Sequence, residues 1–358
     1  MADKKDMEEF MRKAEEALHA NLSKEQIELL ERSEKMTAEM LGVSDFDEFA
    51  KLTKNEQRKR SEEMNEKLFS MMGVSKEELL AREREAKKQA SRERMAGAEN
   101  ADKKLIDEIG KLAKNVIFIK PLKEGAEIKT GQSKIGGKPH LPRGFKWYRN
   151  GEGTPLSFLM QINFAETREY DKDNIFPEKG ILYLFYDVEN QPWDTDDDDG
   201  KGFAVYYYDG DISELEPADF PDEYEDDCCG GVSYVNCLMD ERAVSFFSEK
   251  DAPDYEDFVE LSGRAEDDYE DAKTAFLGYD SYKYCEEYFK LGGYSNIIQN
   301  GLAEEFGSDH IQLCQLTTYD KGERGFMFGD GGNLYFYISR KNLSEKLFEN
   351  VKISLQCY

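Results

Sequence analysis

Residues Ser133–Pro142 read SKIGGKPHLP, two glycines and two prolines in ten positions, and a second glycine pair stands in LGGYSNIIQ at Leu291–Gln299. Each pair is followed, at nearly the same distance, by the same two strand-like runs. LSFLMQINFA begins at Leu156 and HIQLCQLTTY at His310; GILYLFYD begins at Gly180 and GNLYFYIS at Gly332. Gln161 lies 24 residues after Gly137 and Gln315 lies 22 after Gly293, while Gly180 and Gly332 follow at 43 and 39. Three matches in one order read as an internal duplication, with repeat one at about 133–187 and repeat two at about 291–339. Paired glycines supply positive φ or a close backbone approach at a turn, and Pro139 and Pro142 stiffen the first copy.

Around these runs, NVIFIK, GFAVYYYD and VKISLQ are short, rich in β-branched and aromatic residues, and bounded by Gly or Pro. No strand–helix–strand period appears, so an antiparallel sheet with a covered face is expected. A single helix is expected over Asp271–Lys290, stopped by Gly292-Gly293. The first hundred residues differ. Ser23 with Gln26, Ser44 with Asp47 and Ser75 with Glu78 have the spacing of N-terminal helix caps, and RSEKMTAEMLGVS at Arg32 recurs as RSEEMNEKLFSMMGVS at Arg60. The fold class is therefore α+β: a helical arm or cap over residues 1–100, then a mostly β, roll-like domain over 101–358 built from two pseudo-symmetric repeats.

The formal charge of −28 over 358 residues is unevenly placed. Residues 187–270 hold 29 acidic and 4 basic side chains, a net of −25, whereas residues 1–114 hold 27 and 24. Such a field repels phosphate backbones, which argues against nucleic acid and for a protein partner. No run of eighteen apolar residues and no apolar leader occurs, so no membrane association and a cytoplasmic location are expected. The six cysteines form no CxxC pair and read as reduced thiols. No cofactor and no metal is expected: DTDDDDG at Asp194–Gly200 has Asp199 where an EF-hand needs Gly and Val205 where it needs Glu.

No nucleophile elbow, Walker loop or zinc-helix motif is present. The candidate ligand-binding residues are Lys134, Gly136, Gly137, His140, Gln161 and Asn163 in repeat one, Gly292, Gly293 and Gln315 in repeat two, and Asp330 in the GDGG turn. If the glycine pairs face each other, Gln161 and Gln315 line one cleft. His310, Gln312 and Cys314 are expected on one strand face, where His310 and Cys314 would stand about 13 Å apart, too far for a nucleophile–base pair.

SKIGGKPHLP, LSFLMQINFAE, FPEKGILYLFYD with QPWD after it, LGGYSNIIQ and FMFGDGGNLYFYI with the closing LQCY resemble, in that order, the YwqG-like proteins, a bacterial family of unknown function. The resemblance spans about residues 100–358. It implies a mostly β, roll-like α+β domain and no particular reaction; where the family commonly has Trp, this chain has Phe328. The functional expectation is an intracellular, non-enzymatic module that binds a protein partner, one version being neutralisation of a basic protein. The alternative is a small-ligand binder or enzyme using the cleft between the repeats.

Overall fold

The computed structural model describes residues 24–45, individual positions between 48 and 73, and residues 75–358 apart from 124, 223–231, 234–238, 259–264 and 320–324. The chain divides into two compact units, Met1–Lys88 and Gln89–Tyr358.

In the first unit, the helix Lys24–Leu41 ends at Gly42, whose φ of 71° lets the Val43 N–H reach back to the Ala38 carbonyl at 3.0 Å. This is a glycine-terminated helix end. The Arg60 guanidinium donates to the Gly42 carbonyl at 2.5 Å, which caps that helix end. Ser75 and Glu78 form the expected reciprocal cap, with Glu78 N–H donating to Ser75 Oγ at 3.1 Å and Ser75 N–H to Glu78 Oε2 at 3.0 Å. Ser23 and Asp47 lie outside the described residues. Near Ser44 the capping acceptor is Asp45, whose Oδ1 takes the Glu48 N–H at 2.8 Å.

The second unit contains β1 Lys114–Pro121, β2 Lys134–Ile135, β3 His140–Pro142, β4 Ser157–Asn163, β5 Ile181–Tyr186, β6 Phe203–Tyr208 and β7 Leu215–Pro217. It continues with β8 Val232–Ser233, β9 Arg242–Asp251, β10 Phe289–Gly292, β11 His310–Thr317, β12 Gly325–Phe326, β13 Asn333–Ser339 and β14 Lys352–Gln356. Ten of these form one antiparallel sheet in the order β14-β13-β11-β10-β1-β9-β2-β4-β5-β6. The two stretches matched in sequence occupy the flanks with one strand order and direction: β10-β11-β13 on one side, β2-β4-β5 on the other. A register shift falls at the same place in each, between Phe158 and Met160 in β4 and between Gln312 and Cys314 in β11. The centre is β1 paired with β9, and β9 comes from within the acidic segment, where RAVSFFSEKD carries the strand pattern.

Laid flat, nine strand spacings would put β14 and β6 about 43 Å apart. Instead, residues of β4, β5 and β6 share one apolar core with residues of β11, β13 and β14, and the Tyr207 and Phe348 rings meet at 4.7 Å. The sheet is therefore curled, as the roll-like reading requires. Residues 193–195 cover the β14 edge, with the Leu355 N–H donating to the Trp193 carbonyl at 2.8 Å, which removes an open ladder.

One expectation is corrected. The helix expected over Asp271–Lys290 is two helices, Glu266–Leu277 and Ser281–Glu287, because Gly278 turns left-handed at φ 73° and Asp280 caps the second; Phe289 onward is strand. The two compact units divide between Lys88 and Gln89. Leu105 and Ile109 pack on Ala252, Tyr269 and Ala272, and Arg94 makes a bidentate pair with the buried Asp280 at 2.9 and 3.0 Å. Burial raises the Asp280 carboxyl, but hydrogen bonds from Arg94 and Ser91 outweigh it and hold the group below its ordinary range. A fragment of residues 89–358 is therefore expected to melt above one of 101–358, and Arg94→Ala in the full chain to cost about 2 kcal/mol in urea unfolding. Equal melting of the two fragments would place the boundary back at 100.

Candidate functional site

Because side chains alternate across a strand, the residues of β2, β4 and β5 that turn away from the apolar core form a row: Lys134 opposite Gln161, and Gln161 opposite Tyr183. In the other half Lys290 stands opposite Gln315, and Gln315 opposite Tyr335. All six are buried. Each row is roofed by the chain that follows the glycine pair, and the contacts correspond residue by residue. The Lys134 ammonium donates to the Lys138 carbonyl and the Lys290 ammonium to the Tyr294 carbonyl, four residues on in both cases. The Gln161 carbonyl oxygen accepts the His140 N–H and that of Gln315 the Asn296 N–H, both at 2.9 Å. Tyr183 and Tyr335 donate to the carbonyls of the same two residues at 2.5 Å.

The glycines make the reversal that lays the loop over the sheet. Gly136 has φ 54°, and a Cβ there would sit 2.4 Å from the Asp240 carbonyl oxygen; Gly293 has φ 73°, and a Cβ would sit 2.5 Å from Asp251 Oδ2 and 2.8 Å from Val116 Cβ. Their neighbours Gly137 and Gly292 are also left-handed. The halves differ in counter-charge. Lys134 pairs at 2.5 Å with Glu241, whose side chain is 47% exposed, whereas Lys290 pairs at 2.8 Å with Asp251, which is 2% exposed. Burial lowers the affinity of Lys134 for its proton, and Glu241 opposes that shift.

His140 is held neutral. Burial first, and then the Lys134 charge, bring its pKa down to about 4, and its Nδ1 accepts the Gly131 N–H at 3.1 Å, which leaves the ring proton on Nε2. Asn163 donates to the Gly131 carbonyl at 2.9 Å and Gln161 to the Gln132 carbonyl at 2.6 Å. The structure thus brings Lys134, Gly136, Gly137, His140, Gln161 and Asn163 together, and separately Gly292, Gly293 and Gln315. Gln161 and Gln315 line no common cleft: they lie five strand spacings apart, about 24 Å of sheet, each beneath its own loop. Asp330 is exposed in the GDGG turn, which Gln191 holds by accepting the Gly329 N–H at 2.7 Å. The register shift in β11 turns Cys314 into the apolar core and leaves Gln312 on the other face, bonded to Ser295, so the expected common face does not exist. Phe328 is buried against Tyr186. Asp194 and Asp197 accept backbone N–H groups of their own loop.

Sequence reading missed Lys290, Tyr183 and Tyr335. Lysine stands two residues before the glycine pair in both SKIGG and FKLGG, and tyrosine recurs in the third strand of each half, so the signal was present. It also missed a buried cluster in which Lys273 pairs with Asp254, and Glu270 lies 4.0 Å from Lys273. Burial raises the Glu270 carboxyl to about 7, opposed by Lys273 and reinforced by Asp254.

Beside the first loop, Leu141–Arg149 and Glu216–Pro221 enclose a groove of about 320 Å³. The short β3–β7 pair joins its walls. Phe145, Trp147 and Phe220 present partly exposed rings there, and Arg143 bridges to Glu216 at 3.3 Å.

Residues 133–357 match a family described as a domain of unknown function, DUF1963. The chain belongs to this family. The DUF1963 match begins at the first glycine loop and ends beyond β14, so it takes in both rows. No curated protein matches the chain. Among the described residues no helix is long and apolar enough to cross a membrane.

Three outcomes are expected. Gly136→Ala should destabilise by more than about 3 kcal/mol and Gly292→Ala by about 1–2, since only the former meets backbone in addition to strained φ. The His140 pKa lies below its ordinary value, so the unfolded chain takes up that proton first and melting temperature should fall between pH 6.5 and 4. His140→Asn, copying Asn296, should flatten that fall. Glu270 has the opposite sign: stability should decline as pH rises from about 4.5 to 7, and Glu270→Gln should raise the melting temperature at pH 8.

Proposed function

We propose that this DUF1963 protein is a non-enzymatic interaction module that binds a basic protein partner, and that within its family it belongs with the YwqG-like proteins. The observation that carries the reading is the net charge of −25 over residues 187–270, a field that steers and retains a cationic surface. The buried rows support it from the other side. Lys134, His140, Gln161, Asn163 and Gln315 are enclosed, and their hydrogen bonds hold the protein's own backbone rather than converge on an open pocket. Neutralisation of a basic protein is the version of this function that the charge favours, with a cytoplasmic setting.

The test pairs calorimetric titration with a small protein of pI above about 9 at low and high salt against a thermal-shift screen of metabolites and metal ions. Binding that weakens steeply with salt, with no small-molecule stabilisation, is the expected result. Strong stabilisation by a metabolite, without binding of the basic protein, would overturn the reading and favour a ligand site.

A further inference from the structure

The groove beside the first loop has two walls of different origin. Leu141–Arg149 continues directly from the loop that the Lys134 row holds down, and Glu216–Pro221 belongs to the acidic segment. Two of the chain's own cations reach the acidic wall, Arg143 from the wall opposite and Lys138 from the loop that precedes it. Lys138 lies 2.9 Å from Asp219 and 6.0 Å from the centre of the Phe220 ring, and Arg143 lies 3.3 Å from Glu216. Carboxylate on one side and an aromatic face on another is the arrangement that recognises an ammonium or guanidinium group. Both pairs are weakly held, because Asp219 is 94% and Arg143 86% exposed, and such ion pairs contribute little and exchange readily. Trp147 packs against Phe220 at 5.8 Å and against Phe185 at 5.4 Å, so the aromatic wall is anchored on the sheet while its cations are not.

We propose that this groove is the docking site for a lysine- or arginine-bearing segment of the partner, with Lys138 and Arg143 as resident cations that the incoming side chains displace from Asp219 and Glu216. The inference rests on the basic-partner reading and locates its contact. Charge complementarity favours this occupant: the carboxylate wall lies within the segment of net charge −25, which concentrates cations at its surface. The three partly exposed rings offer cover for the methylene stems that such side chains carry.

Trp147 and Trp193 are the two tryptophans, so Trp193→Phe leaves Trp147 as the sole emitter. In that background, titration with a decalysine peptide should shift Trp147 emission. The double variant Glu216→Gln/Asp219→Asn should weaken binding at least tenfold, whereas Glu249→Gln/Asp268→Asn, an equal charge change on exposed residues of the same segment, should weaken it twofold or less. Lys138→Ala should tighten binding several-fold and the exposed Lys103→Ala should not. Circular dichroism on each variant secures that the fold is retained. Equal weakening by the two double variants, or equal effects of the two lysine changes, would overturn the groove and leave the basic-partner reading standing. Absence of decalysine binding to the parent protein would overturn both.

Discussion

Two buried lysine ammonium groups, each capping the carbonyl four residues further along, are what the rest of the second unit depends on. A lysine removed from water is strongly disfavoured unless its charge and its donors are met. Here they are met by a backbone carbonyl and a carboxylate, and in the second half also by Asn296 Oδ1 at 3.0 Å. Meeting them requires the chain to reverse within two residues and lie back over the sheet, a path that needs left-handed backbone at both glycines. Gln161 and Tyr183, or Gln315 and Tyr335, then satisfy the backbone groups of the loop that would otherwise be buried without partners. Loop and sheet are specified together.

Use of one device on both flanks explains the architecture. Each loop covers the outer face of its three strands, the helices 266–287 cover the outer face at β1 and β9, and the inner faces curl into one core. Polar side chains that look like a site in the sequence are consumed in this construction. The proposed recognition surface is the one the first loop carries outward, Leu141–Arg149, together with the acidic wall facing it. In the second half the loop continues into Leu302 and Phe306, which pack on Tyr335 and Tyr337.

Much of this was legible. The glycine pairs, their spacing to Gln161 and Gln315, and the run of antiparallel strands followed from residue types alone, because φ constraints and period-two burial act locally. The tie between Arg94 and Asp280 was not legible, because the two stand 186 positions apart and nothing near Arg94 marks it. The common cleft is absent because spacing gives strand order within each half but not the two central strands inserted between them, and the charge of the acidic segment masks the apolar alternation of β9. Cys314 was put on the wrong face because a bulge, which sequence does not mark here, reverses alternation after Gln312. Lys290 repeats Lys134 in sequence, but a lysine reads as surface until its buried partners are known.

The most direct measurement of the central claim is the unfolding free energy of Lys134→Met against Lys290→Met. Removing Lys134 leaves Glu241, which water already reaches, so a loss of about 1–3 kcal/mol is expected. Removing Lys290 strands the enclosed Asp251, so a loss of about 3–5 kcal/mol is expected, with much of it recovered when Asp251→Asn is added. Near-neutral effects at both positions, or a larger loss at Lys134 than at Lys290, would contradict the claim that these ammonium groups hold the loops to the sheet.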